Sequence, residues 1–294
     1  MKILITGSNG FIGGNLKDFF LKKNYNTLTP KRDELNLLDK DLVKNYLINN
    51  KFDIVIHSAV TLESVDQNLD MYFNIESSSK YFGKLLCIGS GAEYDKRKYI
   101  PRMNESYFGK SIPQKEDIYG YSKYIIAKDI IEKNKNIFNL RLFGIFGKYE
   151  DYRRRLISNN ICKKICGDKV TINKNSFFDY MYVEDFCNIL EKFIKEKPLE
   201  NTYNLCTGQT IDFVTIANII NNIDYNGNKV KVLNEGLNPE YSGDNSKFVD
   251  EFGDFNYTKI ADSINKLYNW YKNNSGLIFD DKIFNDWKKS NLGK

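Results

Sequence analysis

The chain has 294 residues, of which 41% are hydrophobic and 28% charged, and its net charge is +5. This length allows one large domain or two smaller ones around a full hydrophobic core. The basic residues are scattered and form no stripe with interleaved aromatics, which argues against a nucleic-acid partner and favours an anionic one. Because no apolar run approaches the roughly 20 residues of a membrane span, and the first strand signal begins at residue 2, we expect no membrane segment, no signal peptide and a cytoplasmic protein.

Five cysteines and a single histidine limit the chemistry of the side chains. Cys162 and Cys166 are four residues apart and share a helix face, but one histidine does not supply the remaining ligands of a zinc site. We therefore expect no metal, and free buried thiols in a reducing compartment.

The first fourteen residues predict a strand, a glycine turn and a helix. The apolar run Ile3-Leu4-Ile5 ends at a turn in which Gly7, Gly10 and Gly13 recur every third residue. The following segment has apolar residues on one helical face: Phe11, Ile12, Leu16, Phe19 and Phe20. A helix that begins after such a turn presents free backbone N–H groups and the positive end of its dipole, which suits a dinucleotide pyrophosphate.

Strand and helix signals then alternate through the first half of the chain. Strands are predicted at 25–29, 53–57, 85–88 and within 137–145, and helices at 39–48, 65–81 and 119–133. This repetition predicts an α/β protein with a doubly wound parallel sheet of Rossmann type. His57 ends a buried strand, so we expect it to be packed and hydrogen-bonded rather than to transfer protons.

From about Gly147 the alternation loosens, and short strands with helices near 183–195, 215–222 and 257–273 predict a smaller C-terminal α/β lobe. We assign residues 1–147, with returning segments of the second half, to a dinucleotide-binding domain and 148–274 to a substrate-binding lobe. The tail 275–294 has no assigned role, although Phe279, Phe284 and Trp287 among charges indicate a short amphipathic segment.

A Tyr-x-x-x-Lys pair places a phenol and an ammonium one helical turn apart, where the ammonium favours the phenolate and makes the tyrosine a usable acid or base. Five pairs occur: Tyr94/Lys98, Tyr119/Lys123, Tyr124/Lys128, Tyr225/Lys229 and Tyr268/Lys272. Only Tyr119/Lys123 opens the long helix that follows the fourth predicted strand.

At Tyr119-Gly-Tyr-Ser-Lys123 the chain resembles the extended short-chain dehydrogenase/reductase family of nucleotide-sugar enzymes. That family has Gly-x-x-Gly-x-x-Gly in its first turn, Tyr-x-x-Ser-Lys on this helix, and a serine after the fourth strand, which is Ser90 here. Further matching segments are Asn36-Leu37, Val55-Ile-His-Ser-Ala59, Arg141-Leu-Phe-Gly-Ile-Phe-Gly147, Tyr182-Val-Glu-Asp185 and Asn204-Leu-Cys-Thr-Gly208. The resemblance covers about residues 1–273.

The resemblance implies that Tyr119 transfers the proton, Lys123 tunes Tyr119 and holds the nicotinamide ribose, and Ser90 binds the substrate carbonyl. The cofactor-binding residues implied are Gly7, Asn9, Gly10, Phe11, Ile12, Gly13, Lys31, Arg32, Asn36, Leu37, Ser58, Ala59, Val60, Tyr119, Lys123 and Phe143. The substrate-binding residues implied are Thr61, Ser90 and Arg154. Arg153–Arg155 is either a solvated charge run or the source of an arginine that grips a diphosphate bidentately. A homodimer through helices 65–81 and 119–133 is also implied.

Local departures narrow the reaction. The family's dehydratases have Asp-Glu after the residue at the Ser90 position, whereas this chain has Gly91-Ala92, so we do not expect dehydration. After the second strand, Lys31 and Arg32 stand where an NAD-binding protein usually has an acidic residue, which favours NADPH over NADH and a net reduction.

Residues 32–39 and 87–94 resemble the GDP-fucose synthase branch of the family. That branch epimerises with a cysteine two residues after the serine and a histidine in the second lobe, but this chain has Ala92 and no histidine beyond His57. We therefore expect epimerisation to be lost and ketone reduction retained. Gly144 stands where family members often have Asn, and Phe178-Asp179 stands where many have Arg-Asp. The identity of the sugar substrate is therefore not inferred from the family.

These observations predict NADPH-dependent C4 reduction of a nucleotide-linked 4-keto (deoxy) sugar, GDP- or CDP-linked, for surface polysaccharide synthesis. Two alternatives stay open: a nucleotide-sugar 4-epimerase or C4 dehydrogenase that retains NAD, and an NAD(P)-binding regulatory protein without turnover.

Overall fold

Eleven strands and ten helices are formed by residues 1–133, 136–224 and 229–279, which the computed structural model describes. The strands are β1 (Lys2–Thr6), β2 (Asn26–Leu28), β3 (Ile54–His57), β4 (Lys84–Ser90), β5 (Ile137–Leu142), β6 (Gly144–Phe146), β7 (Thr171–Ile172), β8 (Phe177–Tyr182), β9 (Thr202–Leu205), β10 (Thr210–Asp212) and β11 (Lys231–Val232). The helices are α1 (Phe11–Lys22), α2 (Lys40–Asn50), α3 (Val65–Glu76), α4 (Ile118–Lys133), α5 (Leu156–Ile165), α6 (Val183–Lys195), α7 (Phe213–Asn222), α8 (Ser246–Phe252), α9 (Ile260–Asn273) and α10 (Gly276–Phe279).

The central sheet has six parallel strands in the order β2-β1-β3-β4-β5-β9. Strands β1 and β3 at its centre present apolar residues on both faces because helices cover both faces of the sheet. Ile3 and Ile56 pack with α1 and α6, whereas Leu4 and Val55 on the other face pack with α2, α3 and α4. The predicted doubly wound α/β fold is therefore confirmed.

The second half of the chain forms two smaller sheets and a separate core. In one sheet β8 pairs antiparallel with β10 and parallel with β6, and in the other β11 pairs parallel with β7. Helices α5, α7 and α9 pack together through Ile161, Ile216 and Leu267, which are fully buried. Strand β9 returns to the central sheet beside β5.

The element boundaries differ from the sequence prediction in a few places. The predicted helix 65–81 ends at Glu76, and a separate 3-10 turn follows at Ser79–Tyr81. The predicted strand within 137–145 is divided into β5 and β6, and strands β7–β11 and helices α5 and α8 were not predicted individually. Strands β7, β10 and β11 have only two or three residues, too few to show an alternating pattern. The five cysteines, all within the described residues, form no disulfide, and four of them are buried.

Within the three described ranges, the helices are all too short or too polar to cross a membrane. Phe284 and Trp287 of the tail lie outside the described residues, as does Tyr225. The domain division at residue 147 stays a prediction.

Candidate active site

The glycine turn between β1 and α1 brings two stretches of backbone too close together for side chains. Gly7 has a φ of +72°, and a Cβ on Gly13 would collide with the Gly7 carbonyl oxygen. Gly10 is the N-cap of α1 and contributes no side-chain hydrogen bond, and the first turn of the helix contains no acidic residue. The N–H groups of that turn are thus left for an external acceptor, as in a cradle for an anion.

This turn forms the floor of a first cavity of about 650 Å³. The loops after β2 and β3, the start of α3 and Tyr119 complete its walls. Most residues predicted to bind a cofactor line it: Gly7, Asn9, Gly10, Phe11, Ile12, Gly13, Lys31, Arg32, Asn36, Leu37, Ser58, Ala59, Val60 and Tyr119. The structure therefore brings together residues that are spread over more than a hundred positions of the chain.

The edge of the first cavity near β2 is cationic. Lys31 and Arg32 both line it with exposed side chains. The nearby carboxylate of Glu34 is turned back onto the chain, where its Oε2 accepts from the Lys31 backbone N–H at 2.7 Å.

A second cavity of about 680 Å³ lies beyond the carboxyl end of β4. Ser90, Ala92 and Tyr241 line it together with aromatic side chains from β6, β8 and α7. Four residues line both cavities: Phe11, Ile12, Tyr119 and Arg155. Tyr119 therefore lies at the junction of the two cavities, where it would contact a ligand bound in either one.

Lys123 lies against the Tyr119 ring, and the Glu93 side chain binds the backbone of Ser90. The Lys123 Nζ lies 5.8 Å from the centre of the Tyr119 ring and donates to the Ile88 carbonyl at 2.6 Å, near the end of β4. Ser90 Oγ accepts from the Ala92 N–H at 3.1 Å, and the Ser90 N–H donates to Glu93 Oε1 at 2.9 Å. The serine hydroxyl is thus fixed at the start of a short 3-10 turn.

Glu93 is held by a fully buried arginine. Arg141 Nε donates to Glu93 Oε2 at 2.7 Å, and its Nη1 donates to Tyr94 Oη and Asn204 Oδ1, both at 3.0 Å. Burial opposes the charged form of Arg141, but the Glu93 carboxylate outweighs it and the pKa of Arg141 lies above its usual value. This ion pair connects the carboxyl end of β5 to the backbone of Ser90.

Four of the predicted site residues do not line the cavity that their predicted role suggests, and their roles stay predictions. Arg154 lies away from both cavities, because its side chain is 72% exposed and Nε pairs with Asp151 Oδ2 at 3.0 Å. Its neighbour Arg155 lines both cavities instead. Thr61 lines the first cavity rather than the second, Phe143 lines the second rather than the first, and Lys123 lies behind the Tyr119 ring and is not part of either wall.

Several residues of the second cavity escaped the sequence analysis. Glu150 is a buried carboxyl that accepts from the Ser158 hydroxyl, and burial, partly offset by Ser158 and Arg155, raises its pKa to about 7. Tyr241 comes from an irregular segment between β11 and α8, which has no periodic pattern to draw attention to it. For Arg155 the sequence gave one signal, the Arg153–Arg155 run, but that run did not indicate which of the three arginines lines the cavity.

His57 is packed and hydrogen-bonded, as predicted. Its Nδ1 lies 2.9 Å from Thr6 Oγ1, and the side chain is buried at the end of β3. Burial, with a smaller effect of the Lys123 ammonium, lowers the pKa of His57 to about 3.

We expect this imidazole to stay neutral in the folded protein between pH 8 and pH 5. Because an unfolded histidine is protonated below about 6.5, its contribution to stability is present above that pH and declines by about 1.4 kcal/mol per pH unit as pH falls towards 3. The chain has one histidine, so its imidazole proton signals in an NMR titration are unambiguous. A titration midpoint near the ordinary value would contradict the prediction.

Comparison with known proteins agrees with this geometry. The family model described as the NAD dependent epimerase/dehydratase family matches residues 3–206, and the chain belongs to that family. The assignment made from the glycine turn and the Tyr119 helix is thereby confirmed.

Individual relatives are distant but cover nearly the whole chain. The GDP-L-colitose synthase of Yersinia pseudotuberculosis is 22% identical over 93% of this chain and 98% of its own length. A GDP-L-fucose synthetase structure from Naegleria fowleri has a TM-score of 0.80 at 17% identity and covers 93% of both chains. The GDP-mannoheptose C4 reductase of Campylobacter jejuni, with NADP bound, has a TM-score of 0.78 at 20% identity and covers 92% of this chain and 98% of that one. The family description names NAD, whereas this last structure contains NADP.

Proposed function

We propose that the protein reduces the C4 ketone of a nucleotide-linked 4-keto sugar with NADPH. The observation that carries this proposal is the position of Tyr119 at the junction of two cavities, one of which has an anion cradle. Relatives that act on GDP-sugars, including a C4 reductase, favour a GDP-linked substrate.

The first cavity fits a nicotinamide dinucleotide. The N–H groups at the start of α1 would bind the pyrophosphate, Asn36 and Leu37 the adenine end, and Lys31 and Arg32 a ribose 2′-phosphate. A reduced nicotinamide held there would supply the hydride for the carbonyl carbon and would itself be oxidised.

The chain's own residues then complete the reduction in the second cavity. Ser90 donates a hydrogen bond to the ketone oxygen, where negative charge develops as the carbonyl π bond opens. Tyr119 gives its proton to that oxygen, which yields the alcohol, and the phenolate regains a proton from solvent. Lys123 stabilises the phenolate from behind. One of its three N–H donors is used by Ile88, so two are left for a ribose hydroxyl or water.

The second cavity lacks the groups that an epimerase of the resembled branch uses. Ala92 lines it at the position of the cysteine, and no cysteine or histidine is found among the described residues of its wall. We infer that the carbons beside the ketone keep their configuration.

Arg155 is the arginine that we assign to the substrate diphosphate. A planar guanidinium binds phosphate oxygens through two N–H groups, and Arg155 lines both cavities beside Tyr119. Arg155→Ala should raise KM for the nucleotide sugar about tenfold or more, since a hydrogen bond to a charged group contributes about 1.5–3 kcal/mol. Arg154→Ala is the matched control and should leave KM unchanged. Equal effects of the two variants in steady-state kinetics would refute the assignment.

Lys31 and Arg32 should determine cofactor choice. The double change Lys31→Ala and Arg32→Ala removes two cations from the edge of the first cavity and should lower the preference for NADPH over NADH at least about tenfold. The ratio of kcat/KM for the two cofactors is the measurement, and Lys40→Ala, at the exposed start of α2, is the control. An unchanged ratio would show that Lys31 and Arg32 do not bind the ribose 2′-phosphate.

The function is tested by mixing the protein and NADPH with GDP-, CDP-, UDP- and dTDP-linked 4-keto sugars and following NADPH oxidation. We expect NADPH oxidation to be fastest with the GDP-linked compound. Tightly bound NAD in the purified protein, with no use of added NADPH, would instead support a cofactor-retaining epimerase or dehydrogenase.

A homodimer through α3 and α4, a cytoplasmic location and a role in surface polysaccharide synthesis stay predictions.

A further inference from the structure

We propose that Tyr241 is a positioning residue that orients the Ser90 hydroxyl to donate its proton to the substrate ketone. The inference rests on the proposed function, because it concerns the serine assigned to the carbonyl oxygen. It assigns a role to a residue that none of the motifs contains.

Tyr241 is fixed beside Ser90 by its backbone and by its ring. Its N–H donates to the Phe177 carbonyl at 2.9 Å, and its own carbonyl accepts from the Asp179 N–H at 3.1 Å. Its ring lies 5.1–5.3 Å, centre to centre, from three other rings, those of Tyr99, Phe143 and Phe178. A side chain held in this way has little freedom to move its hydroxyl.

The hydroxyl of Tyr241 occupies the space that a side chain on the residue after Ser90 would need. A Cβ built on Gly91 would lie 2.5 Å from Tyr241 Oη. Ser90 and Tyr241 both line the second cavity, and the Ser90 side chain is near enough to the phenol to influence its pKa. Gly91 and Tyr241 are therefore complementary, and together they place a second hydroxyl at the serine.

Counting donors and acceptors gives the direction of the hydrogen bonds. A serine oxygen accepts two hydrogen bonds and donates one. Ser90 Oγ already accepts from the Ala92 N–H at 3.1 Å. If Tyr241 donates the second hydrogen bond, the only capacity left to Ser90 is its own proton, which then points to an acceptor in the second cavity.

Tyr241 stays protonated and so remains a donor. Burial raises the pKa of this phenol well above its usual value, and the neighbouring Tyr99, Tyr119 and Glu93 add to the effect, while Ser90 opposes it. The tyrosine that loses its proton in the reaction is therefore Tyr119, and Tyr241 acts through Ser90.

Kinetics provide the first test. Tyr241→Phe keeps the ring and should lower kcat about tenfold with little change in KM, as expected for an interaction that strengthens in the transition state. In a Ser90→Ala background the same change should have almost no further effect, because its target is gone. Tyr257→Phe removes a half-buried hydroxyl that donates to the Cys206 carbonyl at 2.8 Å and should leave kcat unchanged. Additive effects of Tyr241→Phe and Ser90→Ala would overturn the inference.

A second test needs no turnover and separates this inference from the proposed function. In Ser90→Cys, a hydroxyl that donates to position 90 stabilises the thiolate, so adding Tyr241→Phe should raise the thiol pKa by about one unit. The pH dependence of iodoacetamide alkylation measures it, and the unsubstituted protein gives the background from its own cysteines, four of which are buried. An unchanged thiol pKa would overturn the role of Tyr241 whatever the substrate. A shifted thiol pKa in a protein that reduces no 4-keto sugar would support Tyr241 and refute the proposed function.

Discussion

Tyr119→Phe should reduce turnover with a 4-keto sugar by about 10²–10⁴-fold, the range over which a positioned acid or base contributes. The ring remains at the junction of the two cavities, so the shape of both is retained, and only the proton for the developing alkoxide is removed. Because the anion cradle and the cationic edge of the first cavity lie elsewhere, NADPH affinity should be unchanged.

Tyr124→Phe is the matched control for this prediction. Tyr124 lies five residues further along α4, is buried, and stacks on Phe108 with ring centres 4.8 Å apart. Its substitution should leave turnover intact. Single-turnover kinetics for the chemical step and fluorescence titration for NADPH measure the two quantities separately. Full activity of Tyr119→Phe would exclude Tyr119 as the proton donor.

Arg141→Met should lower the free energy of unfolding by about 3–5 kcal/mol, the usual cost of breaking a buried ion pair from one side. Both side chains of the pair are completely buried, so removal of the guanidinium leaves the Glu93 carboxylate without its countercharge. The Met side chain fits between the rings of Tyr94 and Phe108, which now lie 4.7 and 5.4 Å from the guanidinium carbon.

Denaturant unfolding measures this loss. Lys128→Met is the control, since Lys128 and Glu132 form an exposed pair at 3.7 Å and such pairs contribute about 0–1 kcal/mol. Combining Arg141→Met with Glu93→Gln should restore part of the stability, because the neutral amide does not need a countercharge. A double variant as unstable as the sum of the two single variants would show that the loss comes from packing rather than from charge.

Strands β1 and β3 of the central sheet were predictable because they are buried on both faces and read as continuous apolar runs. Ile3–Ile5 and Ile54–Ile56 have no polar residue that could make the pattern ambiguous. The start and end of α6 were predicted correctly because its apolar residues recur along one face from Val183 to Ile194. The glycine turn and the Tyr119 helix carried the family, and the family model confirmed it.

The second cavity was less predictable because its walls come from segments that are distant in sequence and irregular in structure. Arg153, Arg154 and Arg155 are adjacent, and only the direction of the chain at the start of α5 decides which one faces the cavities. Asp151 forms a short ion pair with Arg154, and no rule based on residue spacing predicts that pair. Tyr241 lies beside Gly91 because β8 pairs with the segment that contains it.

The central claim is tested most directly by following the reducing hydrogen. The protein is incubated with GDP-linked 4-keto-6-deoxy sugar and NADPH deuterated at C4 of the nicotinamide, and the product is examined by NMR. We expect deuterium at sugar C4, one NADPH consumed per alcohol formed, and, in a parallel reaction in D₂O, no enzyme-dependent deuterium at C3 or C5. Deuterium from solvent at C3 or C5, or product formed without net consumption of NADPH, would contradict the account.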